Sequence, residues 1–302
     1  MTATMTPVVK AGKKPSVVKT EKKSRNKIVR RLLRKPVAVI SFGFLAMIGL
    51  VAIIGPWIMP HDPAAQDLLS RLQGPSAEHW LGTDSYGRDN LSRLIQGTRT
   101  SVLAAIQGTS LAVLIGVPAG LIAGYQGKVI DRALSWVANV LLALPALILL
   151  FAIIGILGPG LTNAMIGLGI VLAPGFFRIA RGAAISVRNE TYIEAAISVG
   201  CTPTRALVRH VLPNSIGPLL VQTTYSLGMV VVAESSLSFL GFGVEQPIAS
   251  WGSMVKDSFN NIYETAFPLL APALMITLTI LAFSLLGDAV RDALGRQARV
   301  GE

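Results

Sequence analysis

The side chains that could do chemistry are sparse in this chain, and most stand alone. The three histidines, His61, His79 and His210, are too dispersed in sequence to form the short ligand spacing of a metal site. A nucleotide-binding loop needs glycines that let backbone N–H groups cradle phosphate, followed by Lys and then Ser or Thr. Gly127-Lys128 comes nearest, but Val129 stands where the hydroxyl should be, and Ile122 where the first glycine should be. There is no HExxH helix and no nucleophile–base constellation. The expectation is a non-catalytic chain with no metal and no cofactor of its own. The single cysteine, Cys201, allows no internal disulfide.

One polar stretch is organised. Tyr192–Asn214 reads YIEAAISVGCTPTRALVRHVLPN, with long apolar runs on both sides. Thr191 and Glu194 have the spacing of a capping box, so a short helix is expected over Tyr192–Val199. Gly200 suits a left-handed position after that helix. Thr202 followed by Pro203 predicts a second N-cap with proline in the first turn. The second helix, carrying Arg205 and Arg209, is expected to continue to Val211 or Leu212 and to stop at Pro213. Ala195 and Ala196 are small enough for another protein to approach the first helix closely. The pattern points to a docking device. A DNA-reading helix pair has the same outline, but this unit is tethered to apolar spans at both ends; a purely structural amphipathic hairpin stays open.

The elements that must hold this hairpin are membrane spans. Of 302 residues, 52% are hydrophobic and only 14% charged. The mean hydropathy is +0.58. A soluble chain has about a quarter of its residues charged. Crossing a bilayer takes about 20 apolar residues, and six segments qualify: Val37–Met59, Ser101–Tyr125, Leu134–Leu157, Leu161–Ala180, Ile216–Leu240 and Ala266–Gly287.

The net charge of +11 sits in the tail: residues 1–35 hold twelve Lys/Arg and one acid, Glu21, and the remainder is neutral. A basic tail before an apolar block belongs in the cytoplasm. It lacks the aromatic interleaving and the folded reader of a nucleic-acid binder, so no nucleic-acid partner is expected. Composition predicts disorder to about residue 25. The long basic region, and the absence of an A-x-A site, argue against a cleavable signal peptide. Arg181, Arg188, Arg205 and Arg209 fall in one expected inner segment, and Arg291, Arg296 and Arg299 in the last. The outer loop 241–265 has only Lys256 against Glu245, Asp257 and Glu264. Both termini are therefore expected inside. The chain divides into a basic tail (1–35), a first span with its outer loop (36–100) and a five-helix core (101–295) that contains the hairpin (190–214).

Within the spans, Gly116, Gly120 and Gly124 recur every four residues and predict close helix packing on one face. Pro118, Pro145 and Pro174 are each expected to bend a helix. Polar residues there are few; Asn139, Gln222 and Glu234 are the candidates for a translocation path. Glu234 lies near the outer end of its helix, where anchoring is favoured over ion coupling. In the loop 60–100, the turn-rich GTDSYGRD offers Asp84, Arg88 and Asp89, either for partner contact or for a self-capping loop.

The stretch EAAISVGCTPTRALVRHVLPN resembles the EAA loop of bacterial ABC-importer permeases, with Glu194, Ala195, Ala196, Gly200, Val211, Leu212 and Pro213 at the motif's anchors. HWLGTDSYGRDNLSRLIQGTRTSV, SSLSFLGFGVEQPIASWGSMV and LLGDAVRDALG resemble the C-type subunit of the dipeptide/oligopeptide/nickel branch. The resemblance covers nearly all of residues 36–295. It departs at Trp136 and Asn139, where relatives often carry Arg and Asp, and at Ala289, commonly Gly.

The resemblance implies an all-α integral membrane protein with six transmembrane helices, a type I importer permease with cytosolic coupling helices. It implies four kinds of partner: a second, B-type permease subunit, two ABC ATPase domains that carry ATP and Mg, an extracytoplasmic solute-binding protein, and the lipid bilayer. Peptides are the implied cargo, with nickel chelates or haem-like ligands as alternatives inside the branch. A different class, an ion-coupled secondary transporter or channel, needs a midplane ion site or charge relay, and none is visible in the sequence.

Overall fold

A computed structural model describes Leu32 and residues 35–298; the rest of the basic tail lies outside the described residues. Among the described residues the chain is helix and loop without a β-strand. In order the helices are α1 (Pro36–Ile58), α2 (Asn90–Gln126), α3 (Lys128–Ala143), α4 (Ala146–Leu157), α5 (Leu161–Arg188), α6 (Thr191–Ser198), α7 (Pro203–Ala206), α8 (Leu212–Leu240), α9 (Trp251–Asn260) and α10 (Phe267–Ala298).

Among the described residues, five helical runs are long and apolar enough to cross a bilayer: α1, α2, α5, the run from Pro203 to Leu240, and α10. The sixth expected span is not one helix. α3 and α4 meet at an angle of 96°. Leu144 adopts an extended conformation (ψ 136°), as the residue before a proline is driven to do, and Pro145 cannot donate into the preceding turn. Pro118 and Pro174, by contrast, lie inside continuous helices. α2 starts eleven residues before the expected span, at Asn90, because the Asp89 carboxylate accepts from the Ser92 N–H and sets an earlier N-cap.

The glycine stripe fixes the centre of the bundle. A β-carbon on Gly116, Gly120 or Gly124 would lie 2.3, 2.4 or 2.5 Å from the carbonyl oxygens of Ala173, Phe177 and Arg181 respectively. The pairs advance together along both chains, so α2 and α5 run parallel, backbone against backbone. Without a hydrophobic driving force between helices in lipid, such close approach supplies the attraction. Ala112, Phe176, Ala180, Ala184 and Val211 are buried beside this seam, and Ala104, Ala105, Met165, Val230 and Trp251 at its other end.

The two ends of the bundle are set by pairings distant in sequence. Lys35, ahead of α1, bonds Asp292 near the end of α10 at 2.5 Å, so the first and last helices start and finish on one side. The hairpin between α5 and α8 lies on that side too, since Gly217 faces Leu294. The loop after α1, the start of α2 and α9 gather at the other end.

Candidate coupling hairpin and outer-loop clamp

The hairpin forms largely as its capping residues dictate. α6 covers Thr191–Ser198. Gly200 follows at φ +89° with open space where a β-carbon would stand, so backbone conformation alone demands glycine. The Thr202 hydroxyl accepts from the Arg205 N–H at 3.4 Å, and Pro203 opens α7. The side chains of Glu194 and Ala196 lie outside the described side chains, and with them the capping box expected at Thr191. Ala195 is exposed.

Pro213 does not end the second helix. α7 passes into a π-helical turn, Leu207–Val211, and then directly into α8. The Leu212 N–H reaches back to the Leu207 carbonyl, which widens the turn by one residue and brings Pro213 into the first turn of α8, where no N–H is needed. The expected free-standing second helix is thus the first part of the fifth span.

The hairpin has a buried side and an open side. Ile193, Ala206 and Val211 are completely buried, and Val211 packs with Phe176 and Ala180. Tyr192 ties the two arms: its hydroxyl accepts from Asn214 Nδ2 at 3.0 Å, and its ring meets the His210 ring edge-on at 6.1 Å. Burial, reinforced by the nearby Glu190 carboxylate, pushes the Tyr192 phenol up. On the open side lie Pro203, Arg205, Val208, Arg209 and Pro213, and Val199 at the tip is 85% exposed. The tip is thus an exposed apolar side chain flanked by two exposed guanidiniums. Leu212 is half-buried at the root.

The opposite end holds a clamp. Asp84, Arg88 and Asp89 are all buried, which removes them as partner contacts. Asp84 accepts from the backbone N–H groups of Tyr86 and Arg88, at 2.8 and 3.0 Å, and from Arg88 Nε at 2.7 Å. The fully buried Arg88 reaches Gln246 at 3.0 Å and Asp257 at 3.4 Å, while Arg93 lies 3.3 Å from both Asp84 and Asp257. Burial pushes the Asp257 carboxyl above the ordinary carboxylate range, against the pull of Arg93 and Arg88. Two loops at this end of the bundle, separated by more than 150 residues, are thereby joined through one desolvated charge network. Arg93, Gln246 and Asp257 carry no local signal of this role. A Ser250–Ser253 capping box starts α9, which carries Asp257.

The expected path residues do not converge. Glu234 is wholly buried inside the chain, accepting from Ser101 at 3.0 Å and Ser238 at 2.7 Å. Ser101 also accepts from the Trp251 N–H at 3.3 Å, so Glu234 anchors α2, α8 and the start of α9. Asn139 is exposed and accepts from Arg178 at 3.2 Å. Gln222 donates to Ser226, on its own helix, at 3.3 Å. Sequence dispersal is no guide to the histidines either: His61 and His79 meet with ring centroids 4.9 Å apart.

Comparison with known proteins places these features in a family. The family model described as "Binding-protein-dependent transport system inner membrane component" matches residues 116–300. A second, "N-terminal TM domain of oligopeptide transport permease C", matches residues 26–75. The chain is 38% identical to a dipeptide transport system permease protein of Alkalihalophilus pseudofirmus, covering 88% of this chain and 87% of that one. It is 37% identical to a probable D,D-dipeptide transport system permease protein of Escherichia coli K12, covering 94% and 96%. It is 38% identical to a glutathione transport system permease protein of Pectobacterium atrosepticum, covering 88% of each. The inward-facing MetNI methionine ABC transporter shares the fold, with a TM-score of 0.54, 21% identity and coverage of 66% of this chain and 95% of that one.

Proposed function

The chain belongs to the binding-protein-dependent transport system inner membrane component family, and from that premise we propose that it is the C-type permease subunit of an ATP-driven importer of small peptides. The peptide reading rests on relatives whose names specify dipeptides, D,D-dipeptides and glutathione. Nickel chelates and haem-like ligands are the alternatives within the branch.

The observation that carries the mechanism is the hairpin's two-sidedness. Val199, Arg205 and Arg209 are exposed on its outer face, whereas Ile193, Ala206 and Val211 are buried in the bundle. Two ATPase domains, holding ATP and Mg, press on that outer face from the cytosol. The helical path runs from Pro203 through the π turn into α8 without a flexible joint, so a displacement at the hairpin moves α8. Work is transmitted only if the hairpin binds the open and closed ATPase dimers with different free energies. A B-type permease supplies the other wall of the path. With Asp84, Arg88 and Asp89 buried, contact with a solute-binding protein passes to exposed side chains of the outer loops, Leu69, Trp80 and Tyr263 among them. This orientation puts both termini in the cytoplasm.

The test is reconstitution of the chain with its B-type partner, with and without the ATPase subunits, in proteoliposomes preloaded with ATP. Peptide uptake that requires both the binding protein and the ATPases is expected. Uptake that persists without any ATPase subunit would reject the proposal in favour of an ion-coupled transporter.

A further inference from the structure

We propose that His61, His79 and Asp89 form a binding site for a divalent transition-metal ion of the zinc class. The three residues come from the segment after α1, the loop before α2 and the N-cap of α2. One ligand atom from each lies within 4.8 Å of the others. His79 Nδ1 is 3.0 Å from Asp89 Oδ1, and His61 Nδ1 is 3.8 Å from Asp89 Oδ2. Zinc bonds nitrogen and carboxylate oxygen at about 2.0–2.2 Å. Ligand atoms sharing one tetrahedral ion then sit roughly 3.3–3.5 Å apart; the 3.0 and 3.8 Å contacts, made to different oxygens of Asp89, lie on either side of that spacing.

Three further observations fit the site. The His61 Nδ1 atom is buried and has no hydrogen-bond partner among the described residues, an arrangement that a metal ligand satisfies. Asp89 is already oriented, because its Oδ2 accepts from the N–H and the hydroxyl of Ser92, both at 2.7 Å. Ser92 in turn accepts from the His61 N–H at 3.0 Å, so one hydroxyl braces two of the three ligands, as outer-shell partners of metal sites do. Two imidazoles and a carboxylate select zinc and its transition-metal neighbours over calcium or magnesium, which favour oxygen ligands. Three protein ligands leave a fourth position for water. The ion would replace the proton shared between His79 and Asp89 and staple the α1 exit to the start of α2.

The experiment uses the full-length chain with its B-type partner, purified on a non-histidine tag, stripped with chelator, loaded with Zn²⁺ and desalted. Elemental analysis should find one zinc above background, lost in His61→Ala and in His79→Ala but kept in His210→Ala and Cys201→Ser. Ser92→Ala should weaken binding by roughly 10- to 100-fold. Wild-type protein that retains no zinc overturns the proposal whether or not the variants fold. Loss of zinc that follows His210→Ala or Cys201→Ser instead also overturns it.

Discussion

Gly120 faces Phe177 so closely that a β-carbon on the glycine would lie 2.4 Å from the Phe177 carbonyl oxygen. The contact is backbone to backbone, so no rotamer change can relieve an added side chain. Gly120→Ala is expected to destabilise the chain by about 1–3 kcal/mol, the cost of overpacking. Gly155→Ala, where nothing lies within 4 Å, serves as control. Fluorescence-detected size exclusion after a heat step will show the glycine variant failing at lower temperature; equal behaviour of the two would mean that the α2–α5 seam is loose.

Arg88 is the hub of the outer clamp. Removing it leaves Arg93 as the one guanidinium among the described residues paired with both Asp84 and Asp257. Breaking a buried ion pair by deleting one partner costs about 3–5 kcal/mol. Arg88→Met should therefore lower the thermal stability by that order and speed amide exchange in α9. Arg88→Lys should rescue little, since one ammonium cannot reach Asp84, Gln246 and Asp257 together. Full rescue by lysine would show that net charge, not the guanidinium's geometry, holds the loops.

Val199→Asp and Gly200→Pro separate docking from folding. Val199 is 85% exposed, so placing a charge there should change stability by less than about 0.5 kcal/mol while weakening association with the ATPase subunits. Gly200 is held at φ +89°, a conformation closed to proline, so Gly200→Pro should misdirect the hairpin. Both variants should insert normally, yet hydrolyse ATP with at least about a tenfold loss of coupled uptake, equivalent to about 1.4 kcal/mol. Unchanged uptake per ATP in both variants would remove the hairpin from the mechanism.

Glu234 tests the ion-coupled alternative. Glu234→Gln keeps acceptor and donor atoms for Ser101 and Ser238, so ATP-driven uptake should persist. Glu234→Leu takes away the carboxylate acceptor of two buried hydroxyl donors, Ser101 and Ser238, a cost of about 1–3 kcal/mol, readable as a lower unfolding temperature. If the glutamine variant were as stable as the wild type and yet inactive, the carboxylate would belong to transport rather than to anchoring.

Much of this protein was legible without coordinates, because the relevant signals are local. Apolar blocks of bilayer length predict the spans. Thr202-Pro203 and Gly200 predict a cap and a turn through backbone preferences that act within a few residues. The four-residue recurrence of Gly116, Gly120 and Gly124 announces a close helix contact, although not its partner. Tertiary structure alone decided what each polar group meets. GTDSYGRD looks the same whether its charges face a partner or Asp257, more than 160 residues away, and the fold buried them. Pro213 carries a stop signal that a π turn, itself packed on Phe176 and Ala180, converts into a helix start. His61 and His79 are separated by a loop in sequence and meet only because Asp89 caps α2 beside the exit of α1. Local preference is written in neighbouring residues; burial and pairing depend on which distant segments the packed bundle brings into contact.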